Sequence, residues 1–201
     1  RKVDLYESGA VQYFAIIGFT YVLILGELDL SVGAIYGFSG TIVGALMRFW
    51  NMNFYLAVFL SVVICSLIGF LNGMVITRLR LNSMMVTLAA MTLIQGMNSV
   101  LFNKMPASIY DNVYRRFSKH EIGGIYWTII CMILLIVILE FLLKKTTTFK
   151  KLYYIGYNAQ TARLYGCKVE KIKTLCFMVS AMTAALGGII ATSRITHSDI
   201  N

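Results

Sequence analysis

The chain has 201 residues, 58% of them hydrophobic and only 13% charged, and carries a formal net charge of +9. Soluble domains average roughly 45–50% apolar residues, so the composition reads as a membrane protein and argues against an ordinary soluble enzyme. No group of His, Cys and carboxylate residues has catalytic or metal-ligand spacing, so neither a catalytic residue nor a metal site is expected.

The charged residues cluster so strongly that six stretches of 18 or more residues contain no Asp, Glu, Lys or Arg: 8 to 26, 30 to 47, 49 to 77, 81 to 103, 122 to 139 and 174 to 193. A bilayer core needs about 20 mostly apolar helical residues, because in lipid the backbone must satisfy its own hydrogen bonds. One such stretch alone would fit a buried helix of a soluble core. Six in series make an all-α, polytopic transmembrane bundle of about six spans, and the first is no signal peptide, since neither a small-residue cleavage site nor a polar mature chain follows. The chain opens at Arg1 and stops at Asn201 just after a span, so both ends are expected to be cut.

Between the first two spans lie Glu27 and Asp29, the only acids flanked on both sides by long apolar stretches. Charges near membrane depth usually face protein or a water-filled cavity, which suggests a functional or gating role. The alternatives are that Gly26 to Leu30 is a tight cytoplasmic turn with both carboxylates in water, or that Asp29 caps the next helix, which its spacing to Ser31 fits well; the spacing leaves cap and substrate contact open. The second span carries Gly33, Gly37, Gly40 and Gly44 on one helical face. Stripes of small residues let membrane helices approach closely, and packing is the better account here, with room for a substrate path as the alternative at Gly33 and Gly37. Gly69 with Gly73, and Ser180 with Ala184 and Gly188, repeat the pattern.

A polar series (Asn72, Thr77, Asn82, Thr87, Thr92, Gln95, Asn98) runs through the third and fourth spans. It either joins helices or lines a hydrophilic path. Helix breaks are expected at Gly26 to Leu30, near Arg48 to Asn53, at Arg78 to Asn82, across 102 to 124 (where Pro106 marks a turn) and across 144 to 171. The last of these holds eight Lys or Arg residues against the single acid Glu170 between 144 and 173, which makes it cytoplasmic by the positive-inside rule. The +9 charge thus reports topology, not nucleic-acid binding. Counting spans back places Arg78 and Arg80 inside and the 102 to 124 loop outside, although Lys104, Arg115, Arg116 and Lys119 give that loop a weaker excess that opposes the assignment. Within the cytoplasmic segment Gly156 and Asn158 open, and Gly166 closes, a helix of about two turns. Such a helix is either a docking element for a soluble partner or part of a solvated loop whose lysines set topology. The four cysteines read as small apolar residues.

These residues resemble the permease subunits of ribose-type sugar ABC importers, related more distantly to branched-chain amino-acid permeases. The resemblance rests on Gly26-Glu27-Leu28-Asp29-Leu30-Ser31-Val32-Gly33, on Asn72-Gly73 before a short basic loop, and on Thr87-Leu88. Its strongest part is Tyr154-Ile155-Gly156-Tyr157-Asn158 with Ala162, Leu164 and Gly166, followed by Lys171-Ile172-Lys173, Ala185-Leu186-Gly187-Gly188-Ile189 and Arg194. The elements match in order and spacing over about residues 10 to 196. Tyr157, where the family more often has Gly, and Cys167, where an aliphatic residue is usual, depart from the pattern.

The resemblance implies a single permease domain over residues 1–201, lacking the first span and the C-terminal part of a bacterial inner-membrane, multi-pass protein. It implies that residues 144–171 form a cytoplasmic coupling loop, with Gly156, Asn158, Ala162, Arg163, Leu164 and Gly166 in the helix that ABC ATPase subunits would push. Asp29, Ser31, Asn72 and Thr87 become candidates for the translocation path or its gate. The chain itself would bind no cofactor, with ATP and Mg in the ATPase. The other partners implied are an extracytoplasmic sugar-binding protein, a second permease copy and the lipid bilayer. The alternative is an ion-coupled secondary transporter using Glu27 or Asp29.

Overall fold

The structure, a computed structural model, describes residues 2–102, 121–122 and 125–198. Eight helices account for nearly all of these: α1 (Lys2–Ile24), α2 (Val32–Trp50), α3 (Phe54–Leu79), α4 (Ser83–Phe102), α5 (Trp127–Lys145), α6 (Thr147–Tyr157), α7 (Ala159–Leu164) and α8 (Val169–Ser198). A two-residue strand pair, β1 (Glu121–Ile122) with antiparallel β2 (Ile125–Tyr126), precedes α5. Among the described residues five helices, α2, α3, α4, α5 and α8, are long and apolar enough to cross a membrane. The first expected stretch falls in α1, whose apolar part Val11–Ile24 is shorter. The Pro106 turn and the four basic residues of the 102 to 124 loop lie outside the described residues.

Asparagines punctuate the spans. Asn51 ends α2 in the left-handed conformation at φ 50°, a geometry its short polar side chain tolerates. Asn53 opens α3 by accepting the Tyr55 amide at 3.2 Å, and Asn82 opens α4 by accepting that of Met84 at 2.8 Å. Helix α3 ends at Arg80, also left-handed at φ 54°. The break across 144 to 171 is not one loop around one short helix. Helix α6 fills its first half, because Phe149, Leu152 and Ile155 recur on one face and are buried together. Gly156 accordingly does not open the short helix: it lies inside α6, pressed on the end of α1.

Helix α8 runs through the centre and packs on α1, α2 and α3, whereas α5 lies against α1 and α4 against α2. Lipid gives helices no hydrophobic drive to associate, so close backbone approach must hold them. A Cβ on Gly188 of α8 would fall 1.8 Å from the Tyr36 carbonyl oxygen, and one on Gly40 of α2 would fall 1.9 Å from Thr192 Oγ1. Gly69 and Gly73 of α3 meet the Phe177 carbonyl and the Thr174 backbone in the same way. The α2 stripe is not uniform: nothing lies within 4 Å of a Cβ on Gly33, and only Asn98 Nδ2, at 3.9 Å, approaches one on Gly37. Gly44 is buried.

Replacing Gly188 with Leu should therefore force α2 and α8 apart, costing about 3 kcal/mol. Thermal melting of the purified full-length protein in detergent checks this. A melting temperature equal to wild type would contradict the packing described.

Candidate functional site

Helix α1 stops because Gly26 takes φ +72°. Its amide bonds the Leu23 carbonyl at 2.9 Å and the next amide, of Glu27, bonds that of Val22 at 3.2 Å, the paired closure of a glycine-ended helix. The chain then crosses to α2 through a turn held almost entirely by polar side chains of other helices. Ser83 Oγ accepts the Leu28 amide at 3.3 Å and Thr87 Oγ1 accepts the Leu30 amide at 3.1 Å, both from α4. Asp29 accepts three hydrogen bonds. The Ser31 amide (3.0 Å) and hydroxyl (2.6 Å) donate to Oδ1, and the Ser180 hydroxyl of α8 donates to Oδ2 at 3.2 Å. Asn72 Nδ2 of α3 donates to Ser31 Oγ at 3.2 Å. Asp29, Ser31, Asn72, Ser83, Thr87 and Ser180 are all buried.

The turn is recessed below the ends of α3 and α8 and lies level with the first residue of α4, Ser83. Asn72 lies seven residues before the last residue of α3, or about 10 Å along the axis, and Ser180 eleven residues past the first of α8, or about 16 Å. The same depth shows in the helix lengths. With 19 residues, α2 is about 10 Å shorter than the 26-residue α3 beside it. A carboxylate at that depth is costly unless hydrogen-bonded, and this one is. Asp29 caps only in part, since Ser31 is the residue that precedes α2. It accepts the amide of Ser31, where α2 begins, and it also ties the turn to α8.

Glu27 pairs with Lys173 of α8, each side chain less than a fifth exposed. Reversing one charge, as in Glu27→Lys, should destabilise the protein by about 2 kcal/mol, and Lys173→Glu in the same chain should restore most of the loss. Melting of the single and double variants decides it, since equal loss in both would mean that the pair contributes nothing.

The turn thus gathers all four sequence-predicted path residues: Asp29, Ser31, Asn72 and Thr87. The rest of the polar series does not join them. Thr77 and Thr92 bond carbonyls of their own helices, Asn82 caps α4, and Gln95 is exposed. Asn98 lies beside Gly37 with its Oδ1 buried and unpartnered. Sequence reasoning missed Ser83 and Lys173, and took Ser180 for packing alone. The one available signal was the four-residue spacing of Ser83 and Thr87, which puts both hydroxyls on the face of α4 that meets the turn.

On the far side of the turn lies the basic segment. A Cβ on Gly156 would sit 2.0 Å from the Ile24 carbonyl oxygen, so α6 rests directly on the end of α1. Asn158 then caps α7, its Oδ1 accepting the amides of Gln160 (2.9 Å) and Thr161 (3.0 Å). Gly166, at φ +75°, closes it. Its amide bonds the Arg163 carbonyl at 2.9 Å and the Cys167 amide that of Ala162 at 3.0 Å, repeating the closure at Gly26. Ala162 is buried against the core, Arg163 bonds Glu170 of α8 at 2.8 Å, and Leu164 and Tyr165 are 88% and 85% exposed. An apolar hollow of about 460 Å³ runs along α7, lined by Tyr154, Tyr157, Thr161, Ala162, Tyr165 and Cys167 among others.

A second, polar pocket of about 310 Å³ joins α7 to the turn, lined by Glu27, Thr77, Arg80, Arg163, Glu170 and Lys173 among others. The three breaks that charge counting puts on the cytoplasmic side therefore meet at one end of the bundle.

A family model for the permease component of branched-chain amino acid transport systems matches residues 6–201. The chain belongs to this permease family. It is a multi-pass protein of the bacterial inner membrane. Among curated relatives it is 31% identical over 179 residues to the L-arabinose ABC transporter permease protein AraH of Azospirillum brasilense, covering 89% of this chain and 52% of that one. It is 32% identical over 198 residues to the ribose import permease protein RbsC of Bacillus subtilis, covering 98% and 61%. The autoinducer 2 import system permease protein LsrC of Yersinia enterocolitica is 32% identical over 201 residues, covering 95% and 53%. The chain thus spans between half and two thirds of the length of these relatives. No solved structure matches it.

Proposed function

We propose that this permease chain is part of the transmembrane subunit of an ATP-driven ABC importer for a small sugar. The observation that carries the reading is α7, a short helix capped at both ends that presents Leu164 and Tyr165 outward, at the same end of the bundle as the recessed turn. Relatives that carry arabinose, ribose and autoinducer 2 in their names support the solute class.

In this reading ABC ATPase subunits, holding ATP and Mg, grip α7, and a sugar-binding protein delivers the solute outside to a path between two permease copies. Movement of α7 reaches the spans by two routes. One runs through Arg163 and Glu170 to α8, the other through α6 and Gly156 to the end of α1. Both converge on the turn carrying Asp29, whose polar bonds to α3, α4 and α8 can be exchanged without unpacking an apolar core. Rigid-body rearrangement of packed helices around such a point is a common transporter switch.

No observation favours an ion-coupled carrier, because Glu27 bonds Lys173 and Asp29 bonds Ser31 and Ser180. Co-purification of the full-length protein from its own host tests the proposal. An associated ATPase, stimulated by one sugar with its binding protein, is expected. A protein that carries no ATPase under conditions preserving its melting temperature would overturn it.

A further inference from the structure

The junction of α5 and α6 carries a surface to which the proposed function assigns no role. Leu134, Val137, Ile138 and Phe141 are each about half exposed or more and recur at helical spacing, forming one apolar stripe down the outside of α5. The stripe ends at Lys144 and Lys145, and across the single-residue break at Thr146 follow Lys150 and Lys151 on α6. Four lysines thus stand within eight residues. The nearest acid, Glu140, is already bonded by Lys144.

Helix α6 presents two chemically distinct faces. Phe149, Leu152 and Ile155 point inward and are buried, while Lys150 and Tyr153 face out and Tyr154 and Tyr157 line the hollow along α7. Tyrosine and lysine on the outward face of a helix that directly follows a span are the residues favoured at a membrane interface. The apolar hollow along α7 includes no lysine in its lining, so the lysine cluster is separate from the surface assigned above to the ATPase.

We propose that Lys145, Lys150 and Lys151, with the α5 stripe beneath them, bind an anionic glycerophospholipid of the cytoplasmic leaflet. Its phosphate headgroup sits among the ammonium groups and its acyl chains lie along Leu134, Val137, Ile138 and Phe141. A cluster of four or more cations just inside a span attracts anionic lipid, each lysine being worth roughly fivefold in affinity. Bound there, the lipid anchors α6 at the leaflet and so fixes the height at which α7 is presented. The inference needs only that the chain spans a membrane, and stands whatever solute is carried.

The test uses the full-length protein in mixed phosphatidylglycerol and phosphatidylcholine, with retained lipid counted by native mass spectrometry. Wild type should retain phosphatidylglycerol preferentially and lose the preference as ionic strength rises. The combined Lys145→Gln, Lys150→Gln and Lys151→Gln variant should lose at least about tenfold of it, and the corresponding Arg variant should keep it. A wild-type protein without preference, or a Gln variant that keeps it, overturns the proposal. So does a Gln variant that keeps the lipid preference but sheds an associated ATPase, since the lysines would then serve a protein partner. Should the Gln variant not be recoverable, wild type alone decides: a preference indifferent to salt overturns the site.

Discussion

Asp29→Ala is expected to reduce solute uptake by the full-length transporter at least about tenfold, and to lower its melting temperature, while the protein still reaches the membrane. The Ser31 amide, the Ser31 hydroxyl and the Ser180 hydroxyl all donate to this carboxylate, whose residue is buried. Each donor left without an acceptor costs about 1 kcal/mol or more, and the turn loses its tie to α8. Asp29→Asn is expected to be far milder. Its amide oxygen can still accept from Ser31, and its NH₂ can donate to Ser180 Oγ, reversing one bond without breaking the network. The spans themselves are untouched, so insertion should persist in both variants. Uptake and melting measured on the pair separate the explanations: equal damage from Ala and Asn would mean that charge and not hydrogen-bonding geometry matters at this turn, and no damage from Ala would remove the turn from the mechanism.

Leu164→Asp should have an effect on uptake at least as large, and a differently shaped one. Leu164 is 88% exposed at the end of α7, so the substitution removes almost no internal packing and melting should stay within about 0.5 kcal/mol of wild type. The few side chains that dominate a protein interface contribute about 2 kcal/mol or more each, and placing a buried, unpaired carboxylate there should release the ATPase and abolish ATP-driven uptake. Ala162→Glu and bulky acids at Gly166 would also uncouple, but less cleanly. Ala162 is buried and Gly166 adopts φ +75°, so those changes disturb α7 itself. Retained ATPase binding in Leu164→Asp would move the docking surface elsewhere, most simply to the Tyr154 and Tyr157 side of the hollow.

The spans were legible as charge-free stretches because lipid forces a helix wherever some 20 apolar residues run together. Helix ends shifted by a few residues where Arg48, Lys144 and Lys145 continue a helix beyond its apolar part, since long basic side chains can reach the interface from inside the last turn. The turn at Asp29 was legible as a special place, having two acids between long apolar runs, and so were Asn158 and Gly166 as the brackets of α7. What could not be read was which distant residues meet there. Ser180 lies 151 residues from Asp29 and Lys173 lies 146 from Glu27. Contacts of that kind depend on how each helix is rotated about its axis. In α8, small residues such as Ala181, Thr183, Ala184 and Gly188 face several neighbours at once, so no single apolar stripe marks the inward side. Helix α6 was hidden for another reason: its lysines announced the side of the membrane, and the buried period of Phe149, Leu152 and Ile155 beneath them went unused.

The proposed function is tested most directly by sugar uptake into proteoliposomes containing the full-length protein, its ATPase and its binding protein, with ATP supplied on the side of α7. Uptake that requires hydrolysable ATP, persists when proton and Na⁺ gradients are collapsed, and is lost in Leu164→Asp is the predicted result. Uptake that follows an ion gradient without ATP would contradict it and return Glu27 and Asp29 to the role of ion site.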